Sequence, residues 1–178
     1  MLKSTKTRYV ENFWYHDTDE MIGASLERYG EYGQREIEFL LQIIGPDSTV
    51  YDIGANIGYY TTAFASRAKK VYAFEPHPRT YALLEKNTAD YDNVYIGQYA
   101  VSSHDHQCYI TDYDETVLAN FGTVSVVDNP QNNAVDAIAL DSAGLDLPDL
   151  IKIDVEGHEY SVLQGCKHII ESHTPVVY

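Results

Sequence analysis

Apolar positions along the chain switch between helical and extended spacing. From Gln34 to Ile44 they follow the i, i+3, i+4, i+7 spacing of an amphipathic helix. Downstream, apolar runs of strand length alternate with helical segments. The predicted parallel strands cover residues 49–53, 70–74, 94–96, 150–155 and 175–178, and the predicted helices cover 58–68, 79–89 and 159–172. This alternation, with short connections, predicts an open, mostly parallel, Rossmann-like α/β sheet with helices on both faces.

Two regions depart from the alternation. Residues 1–30 are aromatic and charged without a clear period, and we expect a helical or irregular N-terminal segment with a short helix over 19–27. Residues 31–178 form the main predicted domain. A further short strand is predicted at 135–140. Just before it, residues 102–133 resemble an insertion, with short strands at 107–110 and 123–127 and a polar loop at 128–133. We expect this insertion to reach over the ligand site.

The charge of the chain narrows the range of partners. Its 178 residues, enough for one domain, include 12 basic and 27 acidic side chains, for a net charge of −15. Phosphate backbones and anionic lipids repel such a protein, so we expect neither nucleic acid nor membrane as a partner. With two cysteines, no apolar leader in the first fifteen residues and no run of ~20 apolar residues, a cytoplasmic location is expected.

A glycine-rich loop follows the first predicted parallel strand and leads into a helix. It reads Asp52-Ile-Gly-Ala-Asn-Ile-Gly58, and glycines at such a turn let the backbone lie against a ligand. The spacing of Gly54, Asn56 and Gly58 is one residue shorter than the G-x-G-x-x-G of dinucleotide-binding folds. Asp52 disfavours a pyrophosphate and favours a cationic ligand. S-adenosylmethionine has an ammonium, a sulfonium and no phosphate, and is therefore the predicted cofactor. We expect the loop residues Asp52, Gly54, Asn56 and Gly58 to bind it.

Glu75 ends the second predicted strand, 17 residues after Gly58. A carboxylate at that place can accept hydrogen bonds from both ribose hydroxyls of a nucleoside cofactor. NAD-dependent oxidoreductases share this feature, so Glu75 alone leaves both cofactors open, and the loop spacing and Asp52 favour S-adenosylmethionine. The structural alternative is that the loop is a tight strand–helix turn that binds no ligand.

A second polar cluster, residues 152–159, lies at the carboxyl end of the fourth predicted parallel strand. In open parallel sheets the ligand lies beyond these ends, where the strand order reverses. With the strand order 3-2-1-4-5, Asp154 and Glu156 would face the same pocket as the glycine loop. Asp154, Glu156 and His158 are candidate catalytic residues, because carboxylate and imidazole side chains at a ligand pocket can act as general bases.

Each candidate in this cluster also has a structural interpretation. Asp154 and Glu156 can cap the following turn or helix, His158 can be an exposed first-turn residue, and Lys152 can pair with either carboxylate. A carboxylate–imidazole metal site is disfavoured because Gly157 breaks the strand, so no metal is predicted.

Three blocks of sequence carry a family resemblance. In order and spacing they resemble the FkbM-type methyltransferases, over about residues 30–178. The resemblance implies a class I S-adenosylmethionine-dependent methyltransferase, usually acting on a hydroxyl oxygen of a sugar or other small metabolite. It implies cofactor binding by Asp52, Gly54, Asn56 and Glu75, and a methyl-transfer site at Asp154 and Glu156. The blocks are Asp52-Ile-Gly-Ala-Asn-Ile-Gly-Tyr-Tyr-Thr, Phe74-Glu-Pro-His-Pro, and Ile151-Lys-Ile-Asp-Val-Glu-Gly-His-Glu with Val162-Leu-Gln-Gly-Cys.

The resemblance also sets an expectation for the end of the chain. The class I fold normally has seven strands, so the expected fold is truncated after the start of its fifth strand. The alternative function is accordingly a truncated, non-catalytic cofactor-binding domain, or one completed by a partner chain or a second copy. A nucleic-acid methyltransferase is disfavoured by the charge and by Asp-Val-Glu-Gly where a flipped base would need an Asn/Asp-Pro-Pro-aromatic pocket. The expected partner is a small-molecule or carbohydrate acceptor.

Overall fold

A five-stranded parallel sheet organises the computed structural model, which describes residues 1–127, 129–130 and 132–178. A two-stranded antiparallel sheet, a four-stranded mixed sheet and six helices surround it in the described residues. Two 3₁₀ turns, at Phe121–Thr123 and Leu140–Ser142, complete the described elements. In chain order the others are β1 (Leu2–Thr5), β2 (Phe13–His16), α1 (Ile22–Tyr29), α2 (Gln34–Ile43), β3 (Thr49–Ile53), α3 (Tyr59–Ala65), β4 (Lys70–Phe74), α4 (Pro78–Thr88), β5 (Val94–Gly97), β6 (Ala100–Val101), β7 (His106–Ile110), β8 (Val126–Val127), β9 (Asn133–Ile138), β10 (Leu150–Ile153), α5 (Glu159–Gly165), α6 (Lys167–His173) and β11 (Val176–Val177).

The central strands lie in the order β5-β4-β3-β10-β11, all parallel. This is the 3-2-1-4-5 order used in the sequence analysis, which is thereby confirmed. Asp52 of β3 lies opposite Lys152 of β10 and Ala73 of β4. Because the three strands run in register, their carboxyl ends meet at one edge of the sheet. The glycine loop and the segments that follow β4 and β10 are therefore neighbours at the point where the strand order reverses.

Helices cover both faces of this sheet, because successive residues of a strand point to opposite sides. Val50 packs in a cluster with Leu40 of α2 and Phe64 of α3. Its neighbour Tyr51 packs in a second cluster, with Val162 of α5. The predicted α/β architecture with helices on both faces is confirmed. Within the described ranges, no helix is long and apolar enough to cross a bilayer.

The structure differs from the prediction of a helical or irregular segment over residues 1–30. β1 and β2 form an antiparallel pair that was not predicted. The short helix predicted over 19–27 is present as α1, with its bounds moved to Ile22–Tyr29. All four residues of β2 are aromatic, so hydropathy shows no alternation there. The alternation exists only in burial, since Phe13 and Tyr15 are buried and the two residues beside them are partly exposed. The hairpin is therefore invisible to a search for period two in polarity.

A second sheet holds the insertion-like region, with its strands in the order β6-β9-β7-β8. β7 and β8 are antiparallel, and β7 confirms the strand predicted over 107–110. Of the strand predicted over 123–127 only Val126–Val127 is extended, because Thr123 ends a 3₁₀ turn. β7 also pairs along its whole length with β9, a contact that the sequence did not indicate. The strand predicted over 135–140 ends earlier, and its last residue begins a 3₁₀ turn. Of the predicted polar loop 128–133, residues 128 and 131 lie outside the described residues.

The predicted helix over 159–172 is two helices that meet at Cys166. The second helix has its own N-terminal cap, because the Asp141 carboxylate accepts the backbone N–H groups of His168 at 2.8 Å and Ile169 at 2.9 Å. At the end of the first helix, Gly165 approaches the second sheet so closely that a Cβ there would lie 1.9 Å from the Ser102 carbonyl oxygen. Capping and close packing together interrupt the helical run.

Gly165→Ala is expected to destabilise the fold by about 1–3 kcal/mol, because the added methyl group has to displace backbone rather than a flexible side chain. Urea unfolding measures the change. Gly45→Ala is the matched control, since a Cβ at Gly45 meets nothing within 4 Å. A Gly165→Ala protein as stable as the wild type would show that this helix moves away from Ser102 without penalty.

Candidate functional site

A cleft opens at the carboxyl ends of β3, β4 and β10. Its empty space, including the part open to solvent, is about 1180 Å³, which suffices for a ligand larger than a nucleoside. The glycine loop and the segments after β4 and β10 form one side. The insertion-like region forms the other, which confirms the prediction that it reaches over this site. Its contribution is Ile110, Asn120, Phe121, Gly122, Val124, Ser125 and Val126.

Two residues of the glycine loop line the cleft in backbone conformations that most residue types disfavour. Gly54 has a φ of 75°, and a Cβ there would lie 2.0 Å from the Asp154 carbonyl oxygen. Asn56 has a φ of 52°, a left-handed conformation that asparagine tolerates. The backbone N–H groups of Gly54 and Ala55 both donate to the Phe74 carbonyl at 3.0 Å. The loop is thus fixed between β4 and β10, with its backbone against the cleft.

The other two predicted loop residues, Asp52 and Gly58, lie behind the cleft rather than along it. Asp52 is fully buried, where its carboxylate accepts hydrogen bonds from Thr61 Oγ1 at 2.6 Å and Lys152 Nζ at 3.1 Å. Gly58 has a φ of 91° and precedes α3, and a Cβ there would lie 2.8 Å from Leu84 Cδ1. In this structure both residues support the loop.

Glu75 lies at the floor of the cleft, with only 6% of its surface exposed. Its Oε2 accepts the Asn56 N–H at 3.0 Å, and its Oε1 accepts the His77 N–H at 3.0 Å. Burial raises the pKa of Glu75 to about 7, although these two hydrogen bonds lower it. Each oxygen can accept a further hydrogen bond, so the carboxylate is oriented for a donor that enters the cleft.

Lys152 joins the two predicted motifs beneath the cleft. Its buried ammonium lies 3.1 Å from Asp52 Oδ1 and 3.6 Å from Asp154 Oδ2, and 5.0 Å from the centre of the Tyr60 ring. Burial lowers the pKa of Lys152, but the two carboxylates outweigh it and raise the pKa above its ordinary value. The ammonium is therefore charged. The predicted pairing with Asp154 is confirmed, and Asp52 is a partner that the sequence did not indicate.

The three candidate catalytic residues all line the cleft. The Asp154 side chain is 73% exposed, and Glu156 is exposed as well. His158 is half-buried, with Nε2 3.1 Å from Ser102 Oγ. Burial lowers the pKa of His158, so the imidazole is neutral at pH 7 and able to accept a proton. Gly157, with a φ of 81°, turns the chain between the carboxylates and the imidazole.

The sequence did not single out several residues of the cleft. Tyr32, from the α1–α2 connection, lines it beside Asp154, and burial raises the pKa of its hydroxyl. Phe121 lines the opposite wall and is nearly buried. Neither lies in a glycine loop, a charge cluster or a periodic run, so no local pattern marks them. Within the described residues, no cluster of three or more His, Cys, Asp or Glu has the geometry of a metal site.

Comparison with known proteins identifies the family to which this chain belongs. The methyltransferase FkbM domain matches residues 52–178, which include every predicted site residue. The chain belongs to the FkbM methyltransferase family. The resemblance seen in the sequence is confirmed by this match.

Two relatives and one solved structure show how far the similarity of this FkbM chain extends. Hexuronic acid methyltransferase AglP of Haloferax volcanii is 30% identical over 143 residues, which are 78% of this chain and 58% of AglP. Ribosomal RNA small subunit methyltransferase A of Bacillus cytotoxicus is 37% identical over 73 residues, 40% of this chain and 25% of that protein. The chain thus spans less than two thirds of either relative.

The similar solved structure is the methyltransferase FkbM from Methylobacillus flagellatus KT. It superimposes with a TM-score of 0.58 and 18% sequence identity, over 92% of this chain and 38% of that one. At this level of identity the comparison shows a shared fold. It supports the α/β architecture described above.

Proposed function

We propose that this FkbM domain transfers a methyl group from S-adenosylmethionine to a hydroxyl oxygen of a sugar or other small metabolite. The observation that carries the proposal is Glu75, a buried carboxylate that two backbone N–H groups orient toward the cleft. The carboxylates and imidazole of the segment after β10 line the same cleft. One part of the cleft is thus suited to a ribose and another to proton transfer.

The residues around Glu75 fit this cofactor. Its two oxygens can accept both ribose hydroxyls. Beside it the cleft is apolar at Phe74, Val101 and Ile110, which suits a purine ring. The exposed Asp154 carboxylate, close to Gly54, suits the cationic end of the molecule. Gly54, Asn56, Glu75 and Asp154 are therefore the proposed contacts, and Asp52 and Gly58 are proposed to hold the loop in place.

The protein's own part in the reaction is to hold the acceptor and to take its proton. When bound, S-adenosylmethionine supplies an electrophilic methyl group, and transfer to an acceptor oxygen leaves S-adenosylhomocysteine. His158 is the proposed base, because burial keeps it neutral and thus able to accept the hydroxyl proton. Glu156, exposed in the same cleft, is proposed to bind the acceptor's hydroxyl groups, since Asp154 is assigned to the cofactor.

A carbohydrate acceptor is favoured by the relative from Haloferax volcanii, whose name states a hexuronic acid as its substrate. The ribosomal RNA relative covers a shorter part of the chain, and the net charge of −15 opposes binding to RNA. A sugar hydroxyl is also a suitable partner for exposed carboxylates, which accept its hydrogen bonds.

Calorimetric titration with S-adenosylhomocysteine, and separately with NAD, tests the cofactor. Micromolar binding of the first and none of the second is expected. Binding of NAD alone would contradict the proposed methyl transfer and favour an NAD-dependent oxidoreductase. Transfer is then measured with radiolabelled S-adenosylmethionine and a panel of methyl glycosides. Cofactor binding without transfer to any of them would favour a non-catalytic domain.

His158→Gln is expected to lower kcat about 10²–10⁴-fold, the usual contribution of a general base, and to leave S-adenosylhomocysteine affinity unchanged. Glutamine keeps a polar group near Ser102, so the loop stays in place. Glu171→Gln, on the exposed surface of α6 and outside the cleft, is the control. A loss confined to Asp154→Asn or Glu156→Gln would assign the base to a carboxylate instead.

A further inference from the structure

Three aromatic rings are stacked between the segment after β4 and the opposite wall of the cleft. His77 stacks on Tyr113, with ring centroids 4.5 Å apart and planes inclined by 27°. Tyr113 stacks on Phe121, with centroids 4.3 Å apart and planes inclined by 14°. We refer to these three residues as the ring column. It connects two segments that are distant in sequence and face each other across the cleft.

The lower end of the ring column is firmly anchored. The His77 ring is fully buried, with Nε2 2.9 Å from Asp112 Oδ1 and Nδ1 3.2 Å from Thr80 Oγ1. The Tyr113 hydroxyl lies 3.0 Å from the same Thr80 oxygen. Arg79 forms an ion pair with Asp112, which binds the insertion-like region to the start of α4. These contacts fix the stacking partners relative to β4.

The ring column is also joined to Glu75. The His77 backbone N–H donates to Glu75 Oε1, so the residue at its base holds the carboxylate directly. Tyr113 is close enough that, besides the larger effect of burial, the charge of Glu75 raises the pKa of its hydroxyl. Phe121, at the top, is 6% exposed and lines the cleft. The column therefore extends from the carboxylate to the far wall.

We propose that Tyr113 and Phe121 are positioning residues for the cofactor: the ring column closes the insertion-like region over Glu75, keeps water from its carboxylate and directs that carboxylate to the ribose. The proposal rests on the function proposed above for Glu75. It assigns to the insertion-like region a part in cofactor binding in addition to covering the cleft.

The other groups that act on Glu75 come from different elements. They are the Lys152 ammonium of β10, the Asp52 carboxylate of β3, and the backbone N–H groups of Asn56 and His77. None of these four groups belongs to Tyr113 or Phe121. A change in the titration of Glu75 in variants of these two residues therefore reports the covering by the rings, and not a lost ion pair or hydrogen bond.

The test follows the Glu75 carboxyl by ¹³C NMR from pH 4 to 9, assigned by its absence in Glu75→Gln. In Tyr113→Ala and Phe121→Ala its midpoint is expected to fall from about 7 toward the ordinary value of 4.5, by about one pH unit or more. S-adenosylhomocysteine affinity at pH 8 is expected to fall about tenfold. Tyr95→Ala is the control, because Tyr95 stacks on Tyr72 away from the cleft.

Phe121→Leu keeps an apolar side chain larger than alanine and removes the ring, so this variant replaces the alanine variants if they do not fold. Folded variants with an unchanged midpoint and unchanged affinity would overturn the proposal. A wild-type chain that fails to bind S-adenosylhomocysteine would contradict the proposed function, whereas the carboxyl titration would still show whether the rings cover Glu75. The two failures are thus distinguishable.

Discussion

Glu75→Gln is expected to weaken S-adenosylhomocysteine binding about 100-fold. In the wild type, both ribose hydroxyls would donate to an ionised carboxylate, and hydrogen bonds to a charged group contribute about 1.5–3 kcal/mol each. Glutamine has one acceptor oxygen, and its NH₂ group faces a backbone N–H that Glu75 now accepts. At least one of these bonds is lost, and a loss of about 2.7 kcal/mol corresponds to 100-fold in Kd.

The affinity of the wild type is also expected to depend on pH around Glu75. Burial raises the pKa of Glu75 to about 7, and the ribose hydroxyls bind the ionised form. Below pH 7 the carboxyl must lose a proton before binding, so affinity is expected to fall by up to about tenfold per pH unit. Above pH 8 it is expected to be constant. Calorimetry from pH 5.5 to 8.5 measures both regimes, and Glu75→Gln is expected to remove the dependence.

The same carboxyl affects the stability of the unliganded protein in the opposite direction. The pKa of Glu75 is higher in the folded protein than its ordinary value of 4.5, so the folded state binds the proton more tightly. Its contribution to stability is fully present below pH 4.5 and is lost as the pH rises through about 7.

Glu85→Gln, on the exposed surface of α4, is the control for the pH dependence of both affinity and stability. Wild-type affinity in Glu75→Gln would exclude Glu75 as the ribose ligand.

The central sheet could be predicted from the sequence because its strands are short apolar runs separated by periodic helices. The strand order was an assumption typical of open parallel sheets, and the structure has that order. The hairpin of residues 1–30 could not be predicted, since Phe13–His16 alternates in burial and not in polarity. The pairing of β7 with β9 could not either, because it depends on contacts across the insertion-like region rather than on a local pattern.

Part of the site could be predicted, because several of its residues lie at the ends of the predicted strands. Gly54, Asn56 and Glu75 lie at strand ends, where topology alone brings them together. The partner of Asp52 could not be predicted, because Lys152 is 100 residues away and faces it only through the register of two parallel strands. The ring column joins two segments that are distant in sequence by side-chain stacking, which leaves no periodic or compositional signal.

Lys152→Met is expected to destabilise the protein by about 3–5 kcal/mol, the usual effect of breaking a buried ion pair. Lys152 and Asp52 are both almost completely buried, and the ammonium also lies 3.4 Å from the Gly54 carbonyl oxygen. Methionine fills the space of the aliphatic chain but leaves the Asp52 carboxylate without its cation. Among the described residues, the hydroxyl of Thr61 would then be the remaining side-chain donor to that carboxylate.

The double variant Asp52→Asn, Lys152→Met separates the charge from the packing. Because it removes both charges, it is expected to be more stable than Lys152→Met alone, by an amount that a double-mutant cycle in urea measures. Lys167→Met is the surface control, since Lys167 pairs with Glu171 in solvent and its loss is expected to change stability by about 0.5 kcal/mol or less. If the double variant were no more stable than Lys152→Met, the ammonium would act through packing against Tyr60 and the glycine loop, and not through the charge of Asp52.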